Sequence, residues 1–208
     1  MRIGIIGSGM IGGTAARLFA RAGHEVAVSN SRGPESLRDL AAELGPRARA
    51  ATVDEAARFG EVVLLALPFR SPEALPSAAS VSGRIVIDAM NPYAAGGGMV
   101  DLGDSTSSEE TARRLPGARI VKAFNTIWFK HLAEQGDPSR PVAERRAIFV
   151  AGDDAEAKGV VSRLIEEIGF APVDSGGLRE GGRRQQPGSA VYNQAITGEQ
   201  GRAMLAGR

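Results

Sequence analysis

The first twenty residues constrain this chain more than any other stretch. An apolar run, Arg2 to Gly7, passes directly into Gly7-Ser8-Gly9-Met10-Ile11-Gly12 and then into a segment carrying Ala15, Ala16, Leu18 and Phe19. A strand feeding such a turn at the mouth of a helix predicts a binding site for a dinucleotide. Gly7 permits the tight turn, and Gly9 lets a pyrophosphate come close to the backbone. Gly12 lets the helix pack against the strand, and the helix N-terminus offers its free amides to the anion.

Short apolar runs recur along the rest of the chain. Strands are expected at Arg2 to Gly7, Glu25 to Asn30, Ala48 to Thr52, Glu61 to Pro68, Arg84 to Asp88, Arg119 to Phe124, Ala147 to Gly152 and Ala171 to Asp174. Amphipathic stretches separate them, as parallel strands require, because each needs a crossover connection. The fold class expected is α/β, a Rossmann-type, doubly wound, mostly parallel eight-stranded sheet with a short C-terminal helical segment. With 208 residues, one dinucleotide-binding unit over 1–208 is expected, without room for a second catalytic domain. Thr52 with Glu55 reads as a capping box, and Asp153 and Asp154 favour the start of a helix reaching about Ile168. Asn91 to Asp104 reads as a long loop after a buried strand, and such loops are commonly functional. Ser175 to Gly188 reads as a flexible basic loop before a last helix over about Ser189 to Leu205, the segment 175–208 completing the substrate side.

Composition narrows the partners. The formal net charge is +1, with both signs dispersed, which points away from nucleic acid and membrane and towards a small-molecule redox partner. Without cysteine there is no disulfide, thiolate zinc site or iron–sulfur cluster, and no metal site is expected. No signal-like or membrane-spanning run stands out, so a cytoplasmic location is expected. An apolar C-terminal segment (Ala190, Val191, Ala195, Ile196, Ala203, Met204, Leu205) suggests a homodimer.

The end of the second strand selects the cofactor. An NAD site places Asp or Glu there for the ribose 2′-hydroxyl, whereas this chain reads Val28-Ser29-Asn30-Ser31-Arg32-Gly33. With no carboxylate to repel a 2′-phosphate, and with Asn30, Ser31 and Arg32 to donate to it, NADP is the expected cofactor. Ligands of open sheets lie beyond the carboxyl ends of the strands. Leu67-Pro68-Phe69, Asn91-Pro92 and Ala123 to Thr126 are therefore the candidate walls of the nicotinamide end.

Proton donors are scarce at those edges. His24 belongs to a turn far from the ligand edge and is expected at the surface, and His131 is expected to be solvated on a helix after the sixth strand. Lys122 lies inside that strand, which leaves Tyr93 in the glycine-rich loop as the best-placed acid. No catalytic residue is assigned. A site so poor in acids and bases suits hydride transfer between two cofactors, where the acceptor ring delocalises the charge. Two other readings are an NADPH-dependent reductase of a small carbonyl or imine and a non-catalytic NADP-binding redox sensor.

The GSGMIG turn, Gly23-His24-Glu25 leading to Asn30-Ser31-Arg32, Leu67-Pro68, Val121 to Ile127 (VKAFNTI), Val150 to Asp154 (VAGDD) and Val173 to Leu178 (VDSGGL) together resemble the coenzyme F420-dependent NADP oxidoreductases. The resemblance spans nearly the whole chain and extends to the cytoplasmic reductase domain of the six-transmembrane metalloreductases. It implies reversible hydride transfer between NADP and the deazaflavin coenzyme F420, or a flavin. It further implies that Asn30, Ser31 and Arg32 hold the 2′-phosphate, while Asn125 and Thr126, with Phe69 and Ile127 nearby, line the place where the two rings meet. Archaeal members carry a His before the Thr-Ile pair, whereas this chain carries Asn125, as the metalloreductase domains do, which leaves the acceptor open. Arg179, Arg183 and Arg184 are candidates for the anionic tail of the deazaflavin.

Overall fold

The computed structural model describes residues 1–207; Arg208, the end of the expected C-terminal segment, lies outside the described residues. The eight expected strands form one sheet, with β1 at Arg2–Ile6, β2 at Glu25–Ser29, β3 at Ala48–Ala50, β4 at Val62–Leu65, β5 at Ile85–Asp88, β6 at Arg119–Lys122, β7 at Ala147–Ala151 and β8 at Ala171–Gly176. Their order is β3-β2-β1-β4-β5-β6-β7-β8. The pairs from β3 to β6 are parallel, β7 meets β6 antiparallel through Lys122 and Ala151, and β8 is parallel to β7. This is a Rossmann-type doubly wound sheet, with its switch of direction between β1 and β4.

Alternation along each strand builds a core on both faces. Ile3, Ile5, Val26, Val28, Leu64 and Ile87 pack against helices α1 (Met10–Arg21) and α7 (Ala155–Glu167). Ile6, Ala27, Val63, Leu65 and Val86 point the other way, towards α3 (Val53–Phe59). Burial on both faces is why the central strands read as continuous apolar runs. The remaining helices are α2 (Arg38–Leu44), α4 (Ala78–Val81), α5 (Ser107–Arg114), α6 (Phe129–Glu134), α8 (Leu178–Arg184) and α9 (Gly198–Ala206). Among the described residues no helix is long and apolar enough to cross a membrane.

The capping box of Thr52 and Glu55 opens α3. Of the acidic pair at 153–154, Asp154 alone caps α7, accepting from the Ala157 amide at 2.9 Å. Asp153 instead accepts from the Leu178 amide at 2.8 Å and so starts α8. That contact corrects the expectation of a flexible basic loop over Ser175 to Gly188: most of this stretch is the end of β8 followed by a helix. Gly181 serves close packing, since a Cβ on it would stand 2.6 Å from the Ala151 Cβ.

The last helix begins nine residues later than expected, at Gly198, because Thr197 and Gln200 form a capping box that the sequence reading passed over. Its Met204 and Leu205 pack against Phe149 and Val173 of the chain's own sheet. His24 is also corrected. Its side chain is buried, with Nε2 2.9 Å from Glu167 and the ring edge-on to Phe19, because the turn tucks it under the C-terminal end of α7.

Candidate functional site

The carboxyl ends of β1, β2, β4, β5 and β6 share one edge, and a crevice runs along it. At its centre α1 starts without a side-chain cap and without an acidic residue in its first turn, so its leading amides are free for an anion. The three fingerprint glycines differ physically. A Cβ on Gly12 would stand 1.8 Å from the Gly7 carbonyl oxygen, and Gly7 itself holds φ at +98°. A Cβ on Gly9 would meet nothing within 4 Å, so the turn leaves open space in front of the helix where a pyrophosphate needs to approach. Ser8 precedes Gly9 in this turn, and Met10 and Ile11 line the pocket beside it.

At the end of β2, Asn30 organises the following loop. Its Oδ1 accepts from the Arg32 amide at 2.9 Å and its Nδ2 donates to Ser36 Oγ at 3.0 Å. Asn30, Ser31 and Gly33 face Thr52 and Leu75 across a pocket of about 400 Å³. The Asn30 amide is thus engaged within the loop. Ser31, which lines the pocket, and Arg32, next in sequence, are both exposed. Leu67 lines this pocket and the central one, joining them.

The central pocket, about 340 Å³, lies between Gly9, Met10, Pro68, Phe69, Met90 and Asn91. Phe69 is only 5% exposed and belongs mainly to the core. Met10, Ile11, Ala89 and Asn91 also line a neighbouring pocket of about 210 Å³, closed by Asn125, Ile127, Trp128, Phe129, Tyr192 and Asn193. Pro92, Ala123 and Thr126 are buried behind these walls. Pro92 accepts from the Val100 amide at 2.8 Å, and Thr126 accepts from that of Asn193 at 2.9 Å, so both hold the frame.

Strand β6 delivers Asn125 through a strained step. Phe124 has φ +65°, a left-handed conformation costing a bulky residue roughly 1–2 kcal/mol. Its fully buried ring, edge-on to Phe19 at 6.2 Å, anchors that turn. Asn125 Nδ2 then donates to Asn91 Oδ1 at 3.1 Å and to the Gln185 carbonyl at 2.8 Å. Asn125 Oδ1 is buried without a hydrogen-bond partner among the described residues. Asn91 Nδ2 donates back to the Asn125 carbonyl at 2.9 Å and to the Tyr192 hydroxyl at 3.3 Å, and Tyr192 meets the Tyr93 hydroxyl at 2.8 Å.

Beneath the site, Lys122 is fully buried. Its Nζ donates to the Met90 carbonyl at 2.5 Å and to Ser107 Oγ at 3.1 Å, and it lies 3.5 Å from Asp88 Oδ2. Burial pushes the ammonium below its ordinary value while Asp88 pulls it back up. This pair fixes the backbone entering Asn91. The three arginines of the expected basic loop are engaged elsewhere: Arg183 donates to the Asp104 carbonyl, Arg184 to the Ser175 carbonyl, and Arg179 faces Glu109 at 3.6 Å.

Sequence reasoning passed over Trp128 and Tyr192. Trp128 is 45% exposed beside the pocket, and Tyr192 arrives from a segment about a hundred residues beyond Asn91. No periodicity marks either. The Val150-to-Asp154 and Val173-to-Leu178 motifs meet through Asp153 and Leu178, so their contact is a structural joint.

Residues 2–92 match the family model described as NADP oxidoreductase, coenzyme F420-dependent. The chain is 32% identical to the metalloreductase STEAP3 of Rattus norvegicus over 181 residues, which cover 85% of this chain and 34% of that protein. It therefore spans about a third of that relative's length. Among solved structures, the hypothetical protein SMa0349 from Sinorhizobium meliloti is 34% identical with a TM-score of 0.81, covering 95% of each chain. A proposed F420-dependent NADP reductase from Arthrobacter sp. FB24 is 27% identical with a TM-score of 0.72, covering 86% of each chain.

Proposed function

We propose that this chain, whose residues 2–92 match the coenzyme F420-dependent NADP oxidoreductase family model, transfers a hydride between NADP(H) and an isoalloxazine-type ring, a deazaflavin first and a flavin second. The carrying observation is the continuity of the crevice: the pocket open at Gly9 shares Met10, Ile11, Ala89 and Asn91 with an apolar pocket lined by Asn125, whose buried Oδ1 has no hydrogen-bond partner among the described residues.

A nicotinamide carboxamide has an amino group that this oxygen would accept from, and without it a buried oxygen is costly to leave unpaired. The α1 amides would hold the pyrophosphate, and Ser31 and Arg32 the 2′-phosphate. Bound there, NADPH supplies the hydride. Ile127, Trp128 and Phe129 line an apolar side of the pocket against which a tricyclic ring would pack. Excluding water and aligning two rings is then the chain's main contribution to rate. The lining of this pocket contains no charged side chain among the described residues, which suits an acceptor that delocalises charge.

The test is anaerobic rapid mixing with NADPH and, separately, coenzyme F420, FMN and FAD, following NADPH absorbance. Fast reduction of the deazaflavin supports the reading. NADPH binding without reduction of any of the three removes it.

A further inference from the structure

The proposed transfer needs a proton as well as a hydride, because reducing the ring places a negative charge on a conjugated nitrogen. We propose that Tyr192 donates this proton and that Tyr93 replenishes it. The inference rests on the function proposed above and goes beyond it by giving the site a general acid.

Hydrogen-bond accounting carries it. A tyrosine hydroxyl has one proton to donate and two lone pairs to fill. The Asn91 amide donates to Tyr192 at 3.3 Å, filling one lone pair. The other Asn91 Nδ2 hydrogen goes to the Asn125 carbonyl, and it is the Asn91 nitrogen, not its oxygen, that meets Tyr192, so Asn91 takes no proton from that hydroxyl. When Tyr93 donates across its 2.8 Å contact, the second lone pair is filled and the Tyr192 proton remains unspent beside the pocket that Tyr192 lines. Tyr93 is 42% exposed and reaches solvent, while Tyr192 is half-buried, so the two hydroxyls link bulk water to the pocket.

Burial pushes the Tyr192 phenol above its ordinary value, which keeps it protonated until a base forms beside it. The step balances. The nicotinamide C–H bond breaks with its electron pair, and that pair forms a bond to hydrogen on the acceptor ring, oxidising NADPH and reducing the ring by two electrons. The Tyr192 O–H bond breaks and a ring N–H bond forms. The Tyr192 phenolate takes the Tyr93 proton, and Tyr93 takes one from water.

The chain's only two tyrosines are this pair, so ultraviolet titration of tyrosinate reads nothing else. Tyr192 is expected to ionise late, above the ordinary value, and Tyr93→Phe leaves that late ionisation as the single one. Two independent ionisations near the ordinary value of about 10 would overturn the inference. In turnover, Tyr192→Phe should lower kcat at least about tenfold, the modest side of what a general acid contributes. It should also erase the solvent deuterium isotope effect while leaving NADPH affinity unchanged, as read by quenching of the single tryptophan, Trp128. Tyr93→Phe should give a smaller loss. A Tyr192→Phe rate within about twofold of the wild type sinks the relay and leaves the proposed function standing. A wild type that reduces no acceptor sinks both.

Discussion

Replacing Lys122 by Met keeps its length and removes its charge, which makes the buried pair under the site measurable. Asp88 is 0% exposed and would retain the Met90 amide at 2.9 Å and the hydroxyls of Ser108 at 2.6 Å and Thr111 at 3.3 Å, with no cation left beside it. Removing one member of such a pair costs about 3–5 kcal/mol, because the other charge stays buried and uncompensated. For a chain of this size each kcal/mol lowers Tm by roughly 2–4 °C, so a drop of roughly 6–20 °C is expected. The double variant Lys122→Met/Asp88→Asn removes both charges and should recover most of the loss, since the carboxamide oxygen introduced at position 88 could still accept from the Met90 amide. Calorimetry on the wild type, the two single variants and the double variant closes the cycle. A Lys122→Met cost under about 1 kcal/mol, or a double variant no better than the single one, would refute the view that charge compensation sets this cost.

The fingerprint glycines should separate by phenotype: Gly9→Ala melts near the wild type but loses NADPH binding, whereas Gly12→Ala, with its Cβ driven onto the Gly7 oxygen, loses stability as well; calorimetry and fluorescence titration read both. Arg32→Ala should weaken NADPH by about 10- to 100-fold at low salt, as expected for a lost hydrogen bond to a charged group, and leave NADH unchanged; equal weakening of both would remove Arg32 from the phosphate site. Asp154, held at about 2 by Arg119 and the Ala157 amide against an ordinary 3.8, contributes stability that is fully present above the ordinary value and lost as pH falls towards 2. Asp154→Asn should therefore flatten the acid limb of a thermal-stability profile between those values.

The sheet was legible because its strands are buried on both faces, so that Ile3 to Ile6 or Val62 to Leu65 stand out as apolar runs between helical stretches. The fingerprint turn was legible because steric demand, not tertiary context, requires glycine there. The walls of the pocket beside Asn125 were only partly so. Asn91 and Asn125 could be placed at strand ends by counting, but Tyr192 and Trp128 reach the site through loops that no period predicts. The left-handed Phe124 is held by the packing of its ring and leaves no trace in residue type. The stretch after β8 misled for the opposite reason: Gly181 and Gly182 look like flexibility and are in fact sites where a helix lies close to Ser175 and Thr106.

The most direct measurement of hydride transfer is a single anaerobic turnover of coenzyme F420 with NADPH carrying deuterium at the transferable nicotinamide position. The account predicts rapid loss of the oxidised deazaflavin band, slowed by the label, with the deuterium recovered on a carbon of the reduced ring. Recovery of the label in water, or an intact deazaflavin band with NADPH bound and neither FMN nor FAD reduced in its place, would contradict it.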